Sequence, residues 1–157
     1  MRARSCGEPP AAPVSGTGDG LALSAELAAE LLAHARAGLP DEACGLLAGD
    51  ARSGRATAFH AARNAEASPL RYNVHPEDLV RIVFAIEDAG QDLVGIFHSH
   101  TRSPAVPSAT DLRTAQYPDA VYVLATLADP VAGPMQALRA WRIRDGEATE
   151  VPLTIGS

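Results

Sequence analysis

The sequence contains no lysine, so its thirteen basic residues are all arginines, set against nineteen acidic residues and a formal net charge of −6. Proteins that bind nucleic acid or anionic membrane surfaces need basic patches, which an acidic chain of this kind does not favour. No apolar run approaches the roughly 20 residues that a membrane-spanning helix requires. We therefore expect neither a nucleic-acid partner nor a membrane partner.

Cysteine is almost absent as well, since the chain has only Cys6 and Cys44. Two cysteines do not build the disulfide framework of a small secreted domain, so we expect a reducing, cytoplasmic location. The N-terminus is rich in proline, glycine, serine and alanine and lacks the apolar segment of a secretory signal. These features predict a disordered leader over residues 1–20 and one folded domain over residues 21–157.

Apolar periodicity predicts two long helices, one in "SAELAAELLAHARAG" with Ser24 as its N-cap and one in "HPEDLVRIVFAIEDAG" with Pro76 at its first position. A short third helix is expected in "SATDLRTAQ". The predicted strands are EACGLLAG, RATAFHAARN, DLVGIFHSH, AVYVLATL, MQALRAWRIRDG and ATEVPLTI. This αββαβαβββ order predicts an α/β domain with a mixed sheet and helices packed against it.

Two histidines stand at the end of the third predicted strand, in the stretch "GIFHSH". Side chains at i and i+2 of a strand leave the same face, with Cα atoms roughly 6–7 Å apart. His98 and His100 can therefore converge on one metal ion, for which neutral imidazole is a good ligand. A pair of this kind is more often simply packed or exposed, so the spacing alone leaves both readings open.

Ser108 and Asp111 follow in "PSATDL" with the spacing of a helix capping box. In such a box the serine side chain caps the helix, and the acidic side chain in the first turn accepts a hydrogen bond from the backbone N–H of the serine. A serine fixed in this way can also orient an aspartate towards the two histidines. A catalytic metal held by three protein ligands further needs a carboxylate to move protons. Asp41 and Glu42 are the candidates, and spacing does not choose between them.

The segments "PDEACGLLAG" and "HSHTRSPAVPSATD" together resemble the signature of the JAMM (MPN+) metallopeptidase family. That signature is a glutamate, then His-Ser-His, seven residues, a serine, two residues and an aspartate. The resemblance covers roughly residues 21–152 and implies a single MPN domain of the cytidine-deaminase-like kind, with a curved mixed sheet flanked by helices.

The same resemblance implies a role for each matching position. His98, His100 and Asp111 would bind one Zn²⁺ per chain, Glu42 would be the general acid/base, and Ser108 would stabilise the oxyanion by a hydrogen bond. Asp41 matches no position of the signature.

Within the family, the chain is most similar to small bacterial members that release cysteine from the C-terminus of a ubiquitin-like sulfur carrier protein. This implies hydrolysis of the peptide or isopeptide bond after a C-terminal Gly-Gly. The loop "TRSPAVPS" would shape the entry for that tail, and its Arg102 is a candidate contact for a substrate carboxylate. Two alternatives stay open: a non-catalytic MPN scaffold, and an isopeptidase acting on a different small-protein conjugate. A homodimer is also left open.

Overall fold

The computed structural model describes residues 20–156, so the predicted leader falls almost entirely outside the described residues. The elements are β1 (Leu21–Ser24), α1 (Ala25–Gly38), β2 (Cys44–Asp50), β3 (Arg55–Ala62), α2 (Pro76–Asp88), β4 (Asp92–His100), α3 (Ala109–Thr114), β5 (Val121–Thr126), α4 (Pro134–Ala137), β6 (Leu138–Arg144), β7 (Glu147–Val151) and β8 (Leu153–Gly156). The strands form one sheet in the order β7-β6-β5-β4-β2-β3-β1-β8. The predicted α/β class is confirmed.

The sheet is mixed, and its centre is made by β4 between β2 and β5. β2 pairs with β4 in antiparallel register, whereas β5 pairs with β4 in parallel register. From Val94 to His100 every residue of β4 is buried. This accounts for its near-continuous apolar sequence, because a central strand that is covered on both faces has no solvent-exposed face on which polar residues would alternate with apolar ones.

Helix α1 covers one face of this sheet. Ser24 caps it by accepting a hydrogen bond from the Leu27 backbone N–H at 3.0 Å, as predicted. The buried stripe of α1, which includes Leu27 and Leu31, packs against Leu47 of β2 and Phe97 of β4. The first apolar cluster of the core is therefore on the α1 side.

A second apolar cluster lies on the opposite face, under α2. It contains Ile82 and Ile86 from that helix together with Leu46 and Ile96 from the sheet. Because side chains alternate along a strand, His98 and His100 leave β4 on the same face as Ile96. The two histidines thus extend from the second cluster, at the end of β4.

Three details differ from the sequence prediction. β1 was not expected, because its four residues run directly into the cap of α1 and are too few to show alternation. The last predicted strand is two strands, β7 and β8, separated by Pro152, which has no N–H to donate to a ladder. The start of the predicted MQALRAWRIRDG strand instead forms the short helix α4.

None of the described helices is long and apolar enough to cross a membrane.

Candidate active site

The two histidines at the end of β4 point into one buried cluster. His98 is fully buried and His100 is 3% exposed, and their Nε2 atoms lie 3.3 Å apart. Strand geometry is sufficient to produce this arrangement, since i and i+2 side chains share a face. The structure therefore brings the predicted pair together.

Asp111 completes the cluster from the first turn of α3. Its Oδ2 atom lies 3.1 Å from Nε2 of His98 and 3.1 Å from Nε2 of His100. The capping box is present as well: the Asp111 backbone N–H donates to Ser108 Oγ at 3.1 Å, and the Ser108 N–H donates to Asp111 Oδ2 at 2.8 Å. The two interpretations of Ser108 and Asp111 thus hold together, because the cap aims the carboxylate at the histidines.

The loop after β4 fixes the ring of His100. Its Nδ1 lies 2.7 Å from the backbone carbonyl oxygen of Pro104, the arrangement of an Nδ1–H donor. Nε2 then faces His98 and Asp111: in the protonated ring it donates a hydrogen bond to Asp111 Oδ2, and in the neutral ring it carries the lone pair. The ring is therefore oriented so that Nε2 is available to a ligand.

Burial and charge act in opposite directions on the three groups. Burial alone would raise the pKa of Asp111, but hydrogen bonds from His100 and His98 outweigh it and hold that pKa well below its usual range. Burial lowers the pKa of His98. Burial also acts to lower the pKa of His100, but the hydrogen bond to Asp111 and the bond to Pro104 raise it overall. The lowered pKa keeps Asp111 in its anionic form.

Glu42 lies just before β2 and faces the same site. It is 5% exposed, and its Oε1 atom has no hydrogen-bond partner among residues 20–156. Burial raises the pKa of Glu42 to about 7, with Asp111 adding to the rise and His100 opposing it. A buried carboxyl with a pKa near neutrality and a free oxygen is suited to taking up and releasing a proton.

The backbone of Glu42 is held from several directions. Its N–H donates to the Ser68 carbonyl oxygen at 2.8 Å, and its carbonyl oxygen accepts from Asn64 Nδ2 at 3.0 Å. The following residue, Ala43, donates its N–H to Ser99 Oγ at 2.9 Å. Sequence reasoning gave no role to Asn64, or to Ser99 within the His-Ser-His stretch, because each side chain acts by a hydrogen bond to the backbone of a distant segment.

A cleft of about 440 Å³ opens onto this site. Its lining includes Glu42, His100 and Ser108, so three of the five predicted site residues share it. The rest of the lining is Leu39, Pro40, Pro69, Leu70, Thr101, Arg102 and Ser103. Asp41, the other carboxylate considered from the sequence, is not part of this lining.

His98, His100 and Asp111 form a group of donor atoms that could hold a metal ion. All three side chains are buried, and their facing atoms are two imidazole nitrogens and one carboxylate oxygen. Nitrogen and oxygen donors of this kind suit zinc and related first-row metals. The arrangement combines a metal-binding group, a carboxyl with a pKa near 7 and an open cleft, as hydrolytic chemistry requires.

Comparison with known proteins agrees with this fold. A family profile described as prokaryotic homologs of the JAB domain matches residues 24–144. The chain is 42% identical over 135 residues to the CysO-cysteine peptidase of Mycobacterium tuberculosis, covering 86% of this chain and 90% of that protein. It is 44% identical over 113 residues to a desampylase of Haloferax volcanii, covering 69% of this chain and 81% of that protein.

Solved structures share the architecture. The solution structure of a protein from Desulfitobacterium hafniense has a TM-score of 0.78 at 30% sequence identity, covering 87% of this chain and 93% of that one. A JAB1/MPN domain protein from Archaeoglobus fulgidus has a TM-score of 0.55 at 20% identity, covering 87% of this chain and 100% of that one, and shares the fold.

Fold and site together define a hydrolase whose mixed α/β fold is that of the JAB/MPN domains. The chain belongs to the prokaryotic homologues of the JAB domain, the JAMM family. The resemblance drawn from the sequence motif and the single MPN fold that it implied are thereby confirmed, as is the expectation of an enzyme.

Proposed function

We propose that this protein is a zinc-dependent metallopeptidase that cleaves the bond after the C-terminal Gly-Gly of a ubiquitin-like sulfur carrier protein, releasing cysteine in the cytoplasm. The observation that carries the proposal is the buried group of His98, His100 and Asp111, with Glu42 facing the same site. Support for the substrate comes from the relative named CysO-cysteine peptidase, which matches 86% of this chain.

The proposed ligands of zinc are Nε2 of His98, Nε2 of His100 and Oδ2 of Asp111. The three separations between these atoms are 3.1, 3.1 and 3.3 Å, so the side chains are close enough together for all three atoms to contact one ion. When bound, the ion would acidify a water molecule and polarise the scissile carbonyl.

Glu42 is the proposed general base and acid. With a pKa raised by burial to about 7, its carboxylate accepts a proton from the attacking water and returns it to the leaving amine. The orphaned Oε1 atom is the position at which that proton is held. A solvated glutamate would have an ordinary, lower pKa and would be a poorer acid for the second step.

Ser108 is the proposed donor to the developing oxyanion. A hydroxyl has one donor hydrogen and two acceptor lone pairs, and the cap of α3 uses Ser108 Oγ only as an acceptor from Asp111 N–H. The hydroxyl hydrogen is thus free to point into the cleft, which Ser108 lines beside His100 and Glu42. A preorganised donor of this type stabilises a tetrahedral intermediate more than the substrate carbonyl.

A Gly-Gly tail is narrow and extended, and it would enter the site through the cleft. Leu39 and Leu70 flank it and are 49% and 80% exposed, which offers an apolar surface to a protein partner. Arg102 also lines it and would pair with the free carboxylate of a terminal cysteine. The loop 101–108, which carries Arg102 and Ser108, would admit the tail.

A second candidate is an isopeptidase acting on a different small-protein conjugate. It is favoured by the 44% identity to the desampylase of Haloferax volcanii. The non-catalytic scaffold has no comparable support, because all five side chains of the signature are present.

The two candidates are separated by offering the zinc-loaded protein two conjugates of the same carrier. In one conjugate the terminal glycine is joined to cysteine by a peptide bond. In the other it is joined by an isopeptide bond to the ε-amino group of a lysine in a peptide. Mass spectrometry should show loss of cysteine from the first conjugate, with slower cleavage of the second. Preferential cleavage of the lysine conjugate would favour the isopeptidase, and cleavage of neither would remove the substrate proposal.

A further inference from the structure

The two histidines of the site are anchored in different ways. His100 is held by its Nδ1, which lies 2.7 Å from the Pro104 carbonyl oxygen. His98 Nδ1 is fully buried and has no hydrogen-bond partner among residues 20–156. Metal-binding histidines are almost always oriented by a hydrogen bond from the second ring nitrogen. Among the described residues, His98 lacks that hydrogen bond and its ring makes a different contact.

That contact is the ring of Tyr72, which stacks on the His98 imidazole. The two ring centroids are 4.1 Å apart and the ring planes are inclined by only 18°. A stacked neighbour restricts rotation of an imidazole about its Cβ–Cγ bond, because turning the ring out of the stack would drive its edge into the tyrosine face. The stack therefore fixes the plane in which His98 Nε2 lies.

The backbone on both sides of Tyr72 is clamped by one side chain. Asn64 Nδ2 donates to the Arg71 carbonyl oxygen at 3.0 Å, and Asn64 Oδ1 accepts from the Asn73 N–H at 3.0 Å. The same Nδ2 donates to the carbonyl oxygen of Glu42. Asn64 thus holds the segment that carries Tyr72 in a fixed position relative to the backbone of Glu42, the proposed general base.

Tyr72 also shields His98 from a neighbouring cavity. The cavity has a volume of about 350 Å³, and its lining includes Tyr72, Leu46, Ile96 and Tyr122, but not His98. Removing the aromatic ring would open the imidazole to this space. The ring is thus placed both to orient His98 and to keep solvent from it.

We propose that Tyr72 is a positioning residue for His98, whose ring stack takes the place of the hydrogen bond that orients His100. The inference rests on the proposed metal site. It makes the aromatic ring the functional part of Tyr72 and gives the hydroxyl no part in metal binding. Removing a residue that orients a metal ligand without binding the metal itself typically lowers metal affinity by about 10–100-fold.

The test measures zinc affinity by competition with a chromophoric chelator for the full-length protein and three variants. Tyr72→Phe keeps the ring and should bind zinc within about twofold of the parent. Tyr72→Leu removes the ring and should bind about tenfold or more weakly. Tyr117→Leu is the matched control, because Tyr117 lines the same cavity and has no ring contact with a metal-site histidine among the described residues. Its zinc affinity should be unchanged.

Equal zinc affinity for Tyr72→Leu and Tyr72→Phe would overturn the inference while leaving the proposed function intact. A parent protein that binds no zinc would overturn both. If Tyr72→Leu does not fold by circular dichroism, Tyr72→Met fills similar volume without a planar ring and carries the same expectation. Cobalt substitution gives a second readout, since a misplaced His98 should alter the visible absorption of the Co²⁺ complex even where affinity is partly retained.

Discussion

Ser99 and Ala43 exchange two hydrogen bonds that join the strand of the histidines to the segment of Glu42. The Ser99 N–H donates to the Ala43 carbonyl oxygen at 3.0 Å, and the Ala43 N–H donates to Ser99 Oγ at 2.9 Å. Ser99 stands between His98 and His100, and Ala43 follows Glu42 directly. The serine that points away from the metal-binding group therefore sets the distance between that group and the proposed general base.

The first prediction concerns Ser99→Ala. Removing the hydroxyl leaves the buried Ala43 N–H without its partner, so the free energy of unfolding should fall by about 1–3 kcal/mol. Urea denaturation of the metal-free protein measures this. The control is Ser53→Ala, whose exposed hydroxyl makes a long contact of 3.4 Å with the Asp50 carbonyl oxygen and should change stability by at most about 0.5 kcal/mol. Equal stability of the two variants would contradict the structural role of Ser99.

The second prediction concerns Glu42 and pH in the metal-free protein. Burial raises its pKa from 4.5 to about 7, so folding favours the neutral carboxylic acid. Its contribution to stability is fully present below pH 4.5 and is lost as the pH rises to about 7, because the unfolded chain ionises first. Glu42→Gln cannot ionise, so its stability relative to the parent should rise across this window and then level off. Denaturation series at several pH values measure that difference, and a difference that does not change with pH would refute the prediction.

The third prediction separates the two roles of Ser108. Both Ser108→Ala and Ser108→Gly remove the proposed oxyanion donor, so kcat should fall by about 10²–10³-fold in each. Loss of the cap should cost about 1 kcal/mol with alanine but only a few tenths with glycine. Steady-state kinetics and thermal unfolding measure the two effects separately. A Ser108→Gly variant with full kcat would show that the hydroxyl serves the helix cap alone.

The fourth prediction concerns the charge of Asp111. Asp111→Asn keeps the size of the side chain but removes the anion on which both imidazoles converge. Removing a residue that only orients a metal ligand lowers metal affinity by at most roughly 100-fold, so the loss of a ligand should lower zinc affinity by more than that. Asp41→Asn is the matched control, because Asp41 lies beside Glu42 in the chain and outside the cleft lining. Metal titration followed by elemental analysis measures both. Similar zinc content in the two variants would remove Asp111 from the metal site.

The local geometry around the two histidines and Asp111 could be predicted from spacing along the chain. The i, i+2 spacing of His98 and His100 and the capping-box spacing of Ser108 and Asp111 are short-range features, and each fixes geometry within one strand end or one helical turn. The structure adds that the end of β4 and the first turn of α3 bring these side chains into one cluster. Their roles in catalysis stay predictions until the variants are measured.

Glu42 and Tyr72 illustrate what local patterns could not supply. Glu42 reaches the histidines through pairing between β2 and β4, a contact across more than fifty residues, and only the family resemblance singled it out over Asp41. Tyr72 lies in a polar loop without periodicity, so nothing near it in the sequence indicates a partner. Its contact with His98 exists because Asn64 folds that loop back over the sheet.

The most direct test of the account is a single experiment on the carrier–cysteine conjugate with equal amounts of zinc-loaded parent protein and zinc-loaded Glu42→Gln. Mass spectrometry should show that the parent removes one cysteine residue and leaves a Gly-Gly terminus, while Glu42→Gln binds zinc normally and is slower by about 10²–10⁴-fold. Cleavage by Glu42→Gln at the parental rate, with zinc bound in both, would contradict the central claim.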